Sequence, residues 1–271
     1  LLFQKIAIVG TGLMGSSFGL AVKARQLAGQ VVGVSSPGVA AEALRIGAID
    51  AVLSHEKALA GADFVLLAQP IRRLLKTIEM LDLYLEPGAL VSDVGSTKVS
   101  ICAAATGFIH RGRFIGGHPM AGKEKRGPEA ASADLFSGRT WVLTEDEARL
   151  RQLVEALGAR VLILSAEEHD RLVAYSSHLP QLLSTALAGA LEGSGAEAVA
   201  GPGLRDMTRL ALSSFELWDD ILATNRSNID AALALVLQQL AEVRRDLGQA
   251  RMAEHFSRGR ALAERIPREG N

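Results

Sequence analysis

The first half of the chain carries a series of short apolar runs, each closed by glycine, serine or proline. KIAIVG, residues 5–10, is rich in apolar β-branched positions and ends in glycine, which predicts a buried parallel strand. A helical pattern follows over residues 13–28. VVGVS (31–35), FVLLAQP (64–70) and ALVSDVGS (89–96) predict further strands. Pro70 closes one of them because proline cannot continue a ladder. RFIGG (113–117) and RTWVLT (139–144) predict two short ones. Strands alternating with helical stretches of about ten to sixteen residues predict an α/β fold with a doubly wound parallel sheet. After RVLILSAEEHD (160–170) the pattern changes. No strand is predicted from residue 166 to 265, where apolar residues recur at helical spacing, as in DAALALVLQQLAEVRRDL (230–247). The expected organisation is an N-terminal Rossmann-type doubly wound sheet over residues 1–165, followed by an all-helical C-terminal domain over residues 166–271.

With 271 residues, 48% of them hydrophobic, the chain can bury one large core or two smaller ones. A net charge of −1 argues against nucleic acid or an anionic membrane as a partner. Cys102 is the single cysteine, so neither an intrachain disulfide nor a zinc cluster of cysteines can form, and no metal is expected. No apolar run reaches the length of a membrane span, and the first residues lack the pattern of a leader, so a cytoplasmic location is expected. The helical half is too apolar to be solvated all round, which predicts either a self-contained bundle or, as the favoured reading, a homodimer formed through it.

GTGLMGSS (10–17) adds chemistry to this picture. It follows the first strand and opens the first helix, with G-x-G-x-x-G spacing through Gly10, Gly12 and Gly15. In that context the first glycine makes a tight turn, the second lets a pyrophosphate approach the backbone, and the third allows close helix–strand packing. The helix start then offers free N–H groups to phosphates. Leu13 and Met14 within the turn, and Gln69 and Pro70 beyond a later strand, complete the candidate cofactor site. An acid at the end of the second strand would hold the ribose of NAD. Ser35 stands there, followed by Ser36 and Pro37. No carboxylate repels the extra phosphate of NADP and no arginine rewards it, so either cofactor is expected, with a lean to NAD. Arg72 and Arg73 are candidates to reach the cofactor's edge; a solvated helix face is the alternative.

Ligands of open sheets bind beyond the carboxyl ends of the strands. SDVGSTK, with Asp93, Ser96 and Lys98, falls at one such end, and GGHPMAG, with His118, at another. A serine beside a nicotinamide can bond both its carboxamide and a substrate hydroxyl. A histidine in that loop can take a proton near neutrality.

Together GTGLMGSS, SDVGSTK, GGHPMAGKE, SSHLP and LRDMTRLALSSFELWDDI resemble the prephenate and arogenate dehydrogenases of tyrosine biosynthesis, in order and over almost the whole chain. The resemblance implies a nicotinamide-dependent oxidative decarboxylation. His118 is then the general base and Ser96 the serine that bridges hydroxyl and nicotinamide. Arg209 binds substrate carboxylate, with Arg205 as a second basic residue. Glu124, His178 and Trp218 are implied as pocket residues. Arg205 and Arg209 are four apart, so a helix would put them on one face. Two positions depart from the family pattern: Gln181 stands where many relatives carry a second histidine, and Ser35 replaces the acid. A β-hydroxyacid or imine reductase shares the expected architecture but has no use for the GGHPMAG loop. A non-catalytic nicotinamide sensor has no use for Ser96, His118 and Arg209 together.

Overall fold

The computed structural model describes residues 1–123, 125 and 127–266. Six strands form a parallel sheet: β1 (Phe3–Val9), β2 (Ala28–Val34), β3 (Ala51–Val52), β4 (Phe64–Leu67), β5 (Leu90–Asp93) and β6 (Arg113–Ile115). Their order is β3-β2-β1-β4-β5-β6. Helices α1 (Leu13–Ala24), α2 (Pro37–Arg45), α3 (His55–Leu59), α4 (Ile71–Leu81) and α5 (Val99–Phe108) connect them. Alternation along the strands sends side chains to both faces, and both are covered. Ile6, Ile8, Phe64 and Leu66 pack with Phe18 of α1 on one face, and Ala7, Val9, Val65 and Leu67 with Leu74 and Ile78 of α4 on the other.

The runs RFIGG and RTWVLT belong to different sheets. The big sheet ends at Ile115, and β7 (Gly117–Pro119) opens a second, three-stranded sheet with β8 (Thr140–Leu143) and β9 (Arg160–Ile163). β7 pairs antiparallel with β8, and β9 pairs parallel with β8 across α6 (Ala148–Ala156). Gly116 makes the step between sheets, where a Cβ would lie 2.8 Å from Thr144 Cγ2 and 2.9 Å from Cys102 Sγ. Trp141 of β8 packs against Phe18 and Phe136, which docks the second sheet on the first.

After β9 only helices follow among the described residues: α7 (Ala166–Val173), a π-helical turn (Ala174–His178), α8 (Leu179–Ala190), a 3-10 turn (Ala196–Val199), α9 (Pro202–Thr208), a second 3-10 turn (Arg209–Leu212), α10 (Phe215–Thr224), α11 (Arg226–Arg245) and α12 (Met252–Ala263). The strands thus end where the composition changes, near residue 165. Packing divides the chain elsewhere, into Leu1–Arg226 and Ser227–Asn271. The first unit includes α7 to α10 because α10 lies on α4: Ile221 and Trp218 join the apolar layer there. The second unit holds most of α11 and all of α12, and it exposes Leu235, Leu237, Leu240 and Phe256. No helix among the described residues is long and apolar enough to cross a membrane.

Candidate active site

β1 and β4 are sheet neighbours with connections running in opposite directions, so a crevice opens at their carboxyl ends. Gly10 leaves β1 at φ +100°, a region open mainly to glycine. A Cβ there would lie 2.4 Å from the Ala68 carbonyl oxygen, just past β4. A Cβ on Gly15 would sit 2.0 Å from the Gly10 oxygen, so α1 approaches β1 more closely than any side chain allows. At Gly12 a Cβ would meet nothing within 4 Å. Leu13, Met14 and Gly15 open α1, and first-turn N–H groups have no acceptor inside their own helix. The Thr11 hydroxyl is buried without a partner. An open glycine, a helix start and an orphan hydroxyl fit the diphosphate of a dinucleotide. Ser35 is half-buried and Ser36 exposed at the start of α2, beside the Val34 carbonyl that accepts the Gly10 N–H (2.8 Å). The Gln69 side chain accepts a bond from the Thr77 hydroxyl (2.7 Å), and Pro70 precedes α4. Arg72 does not extend to the crevice. It is ion-paired to Asp219 (2.7 Å) and Asp220 (2.9 Å) of α10, because α10 packs over its helix. Arg73 is exposed on α4.

His118 is not a loop residue, as its glycines led us to expect: it sits on the edge strand β7, paired with Val142. Position 117 has no room for a side chain, since a Cβ would lie 2.5 Å from the Asp93 carbonyl oxygen. Asp93 and Lys98 grip both backbone groups of Gly117. The Gly117 N–H donates to Asp93 Oδ1 (2.9 Å), and Lys98 Nζ donates to the Gly117 oxygen (2.7 Å). Asp93 and Lys98 are also ion-paired to one another and fully buried. Ser96, half-buried, lies in the same turn after β5.

His118 Nδ1 is 2.8 Å from Nε2 of His169, and His169 Nδ1 is 2.8 Å from Asp170 Oδ1. Asp170 in turn accepts the N–H groups of Lys98 (2.7 Å) and Val99 (3.0 Å), at the start of α5. A carboxylate at a helix N-terminus is stabilised there. The His118 ring keeps a little exposed surface yet is enclosed on most sides. Burial first, then the proximity of His169, Lys98 and His178, holds its pKa well below the ordinary 6.5.

Neither His169 nor Asp170 was singled out from the sequence. Their signal is nonetheless present. Ser165 caps α7 by accepting the Glu168 N–H (3.1 Å), which fixes the helical phase. Residues 166, 169, 170 and 173 then share a face, and His169, Asp170 and Val173 are the buried residues of α7. Polar residues at core phase are the sign of a network.

The second histidine is joined to the same carboxylate residue. Asn225 Nδ2 donates to the Asp170 backbone oxygen (2.7 Å) and lies 3.2 Å from His178 Nδ1. The amide group facing a carbonyl must be the NH2, so His178 Nδ1 accepts and its proton sits on Nε2. Burial lowers the His178 pKa to about 4, with Asp170 opposing and His169 adding. Trp218 meets the His178 ring edge-on at 5.9 Å, and its buried indole N–H has no partner. Arg209 opens the second 3-10 turn and is exposed, as is Arg205 on α9. The Gln181 side chain is buried and donates to the Leu210 oxygen (2.8 Å), so it braces the Arg209 turn from α8. Glu124 lies outside the described residues.

His118 and His178 link folding to pH. Above 6.5 both are neutral in the folded and unfolded chain alike. Below it the unfolded chain binds protons that the folded chain does not, so stability falls as pH decreases toward about 4. His178 alone should contribute a loss of about 2 kcal/mol by about pH 5, roughly 5 °C in melting temperature. Thermal melts at about pH 7 and pH 5 check this, in a window above ordinary carboxylate titration. An unchanged melting temperature would mean a solvated ring.

The strand order, the glycine crevice and the helical segments beyond it define a two-part protein with a Rossmann-type nucleotide-binding domain. Residues 18–163 match the nucleotide-binding domain of prephenate dehydrogenase, and residues 165–259 match its dimerization domain. The chain belongs to the prephenate dehydrogenase family. It is 37% identical over 232 residues to the prephenate dehydrogenase of Lactococcus lactis subsp. cremoris (strain MG1363), covering 82% of this chain and 65% of that one. The chain thus spans just under two thirds of that relative's length. It is also similar to the prephenate dehydrogenase from A. aeolicus in complex with hydroxyphenyl propionate and NAD+, with a TM-score of 0.87, 28% identity and coverage of 97% and 98% of the two chains. The Synechocystis arogenate dehydrogenase structure has a TM-score of 0.84 and 29% identity, covering 96% of this chain and 99% of that one.

Proposed function

We propose that the chain is a prephenate dehydrogenase, converting prephenate to 4-hydroxyphenylpyruvate by oxidative decarboxylation. The observation that carries this reading is His118, neutral and enclosed, beside the turn that carries Ser96 and at the carboxyl end of a nucleotide-binding sheet. A bound nicotinamide supplies a hydride acceptor. Nε2 of His118 removes the proton of the substrate's ring hydroxyl as the hydrogen on the same carbon leaves with its electron pair. The ring carboxylate then departs as CO2, its bonding pair completes the aromatic ring, and the ring oxygen takes back the proton held on Nε2 of His118 to give the phenol. Ser96 orients the hydroxyl. The Nε2–H of His178 and the orphan indole N–H of Trp218 are neutral donors suited to substrate oxygens. Arg209, with Arg205 four positions before it, serves the carboxylates, and Glu124 is a further pocket residue. Gly10, Gly12, Leu13, Met14, Gly15, Ser35, Ser36, Gln69 and Pro70 form the cofactor side. Residues 1–165 act as the dinucleotide-binding part and 166–271 as the substrate and homodimer part. The exposed leucines of α11 support a dimer, and the single cysteine and near-neutral charge support a cytoplasmic setting.

The runner-up substrate is arogenate, which differs from prephenate only in its side chain, so the same base and ring-carboxylate site would serve it. The test follows reduced cofactor with prephenate, with arogenate and with neither, using NAD and NADP in turn. We expect turnover with prephenate, and less than about tenfold discrimination between cofactors in kcat/KM, roughly 1.4 kcal/mol, with NAD ahead. No turnover with either substrate would end the reading. Arg209→Ala should raise KM for substrate about tenfold to a hundredfold with a smaller loss in kcat, the worth of a charge-assisted hydrogen bond. An unchanged KM would remove Arg209 from the site.

A further inference from the structure

We infer that His169, anchored by Asp170, is the positioning residue that holds His118 in the tautomer with its proton on Nδ1, leaving Nε2 bare to accept a proton. The inference rests on the general-base reading of His118.

The argument is a count of hydrogens. Asp170 accepts two backbone N–H groups at the start of α5, and an aspartate carboxylate can only accept. The 2.8 Å contact with His169 therefore requires a hydrogen on His169 Nδ1. In a neutral imidazole that leaves Nε2 of His169 as an acceptor. Nε2 of His169 is 2.8 Å from Nδ1 of His118, and two facing lone pairs at that distance repel. One hydrogen must lie between the rings, and only His118 can supply it. With its proton spent on Nδ1, neutral His118 has a lone pair at Nε2. The opposite tautomer would leave the contact between the rings with no hydrogen at all.

The same chain handles the proton once taken. A proton added at Nε2 makes an imidazolium whose Nδ1–H still points at His169, so its charge faces the Asp170 carboxylate through that ring. His169 and Asp170 are fully buried, on a helix held to α5 by the Lys98 and Val99 N–H groups. A hydrogen bond between the Thr97 and Thr224 hydroxyls (2.8 Å) ties the same turn to α10. The base on the second sheet is thus oriented from the helical side of the molecule.

The experiment is nitrogen NMR on the full chain labelled at histidine, with the His118 signals assigned through H118Q, joined to steady-state kinetics. In the wild type near neutral pH, His118 should report a protonated Nδ1 and a bare Nε2. His169→Leu should lose that preference and lower kcat roughly 10- to 1,000-fold, with KM and cofactor affinity within about threefold. His169→Gln should recover tautomer and much of kcat, since its amide NH2 turns to Asp170 and its oxygen faces His118. A wild-type spectrum with the proton on His118 Nε2 overturns the proposal, and so does a His169→Leu spectrum unchanged from wild type. The wild-type spectrum needs no variant to fold. If H118N keeps its activity while the wild-type spectrum shows Nδ1–H, the general-base reading fails and tautomer control by His169 stands.

Discussion

His118→Asn should leave cofactor binding close to normal and lower kcat by about a hundredfold to ten-thousandfold, the usual worth of a general base. Asparagine can keep a bond toward His169 while presenting nothing at the position of Nε2, so the neighbouring bonds survive and the base does not. The wild-type pH profile carries the same prediction. A free histidine would impose its loss of activity around 6.5, but burial and three nearby groups disfavour the charged form of His118. The limb in which activity rises with deprotonation should therefore lie below 6.5, and the plateau should already be reached at neutral pH. The variant's limb should disappear with the base. An Asn variant that keeps most of its kcat would show that the proton leaves by another route.

Lys98→Met should destabilise the folded chain by about 3–5 kcal/mol, because it strands a carboxylate in the interior. Asp93 and Lys98 are both fully buried and paired to one another. Asp93 would keep the N–H groups of Gly95 (2.7 Å) and Gly117 (2.9 Å), but no cation. The Gly117 carbonyl would lose its donor as well. For a unit of this size the cost corresponds to roughly 10 °C in melting temperature. A denaturant titration should show a lower midpoint at an unchanged slope. Replacing Asp93 by Asn as well should recover part of the loss, since the buried charge is then gone. A single variant that melts within about 2 °C of wild type would mean the pair is solvated. Because Gly117 precedes His118, the surviving protein should also lose activity, and melting data separate that loss from unfolding.

Arg72 shows where sequence falls short. On the sequence it is either a cation that reaches the cofactor's edge or part of a solvated helix face; in the fold it neutralises Asp219 and Asp220, 147 and 148 positions away. Spacing along the chain carries no information about a pairing of that length. His118 is a subtler case. Flanking glycines read as a loop, yet Gly116 and Gly117 are there because Thr144, Cys102 and Asp93 crowd them, and the histidine that follows is a strand residue of the second sheet.

What the sequence by itself determined is whatever depends on local period and local sterics. Apolar runs of strand length, a G-x-G-x-x-G turn at a strand–helix junction, and helical spacing after residue 165 are properties of neighbours in the chain, and they specify the nucleotide-binding sheet and its crevice. The motifs around residues 96, 118 and 209 carried a resemblance to a dehydrogenase family, which rests on their order along the chain and not on local sterics. Tertiary structure decided the rest. The split into Leu1–Arg226 and Ser227–Asn271 depends on α10 finding α4. The proton state of His118 depends on residues from β7, α7 and α5 meeting in one buried place. Desolvation and facing lone pairs act only once those segments are packed together, so the chemistry they impose is written in the fold.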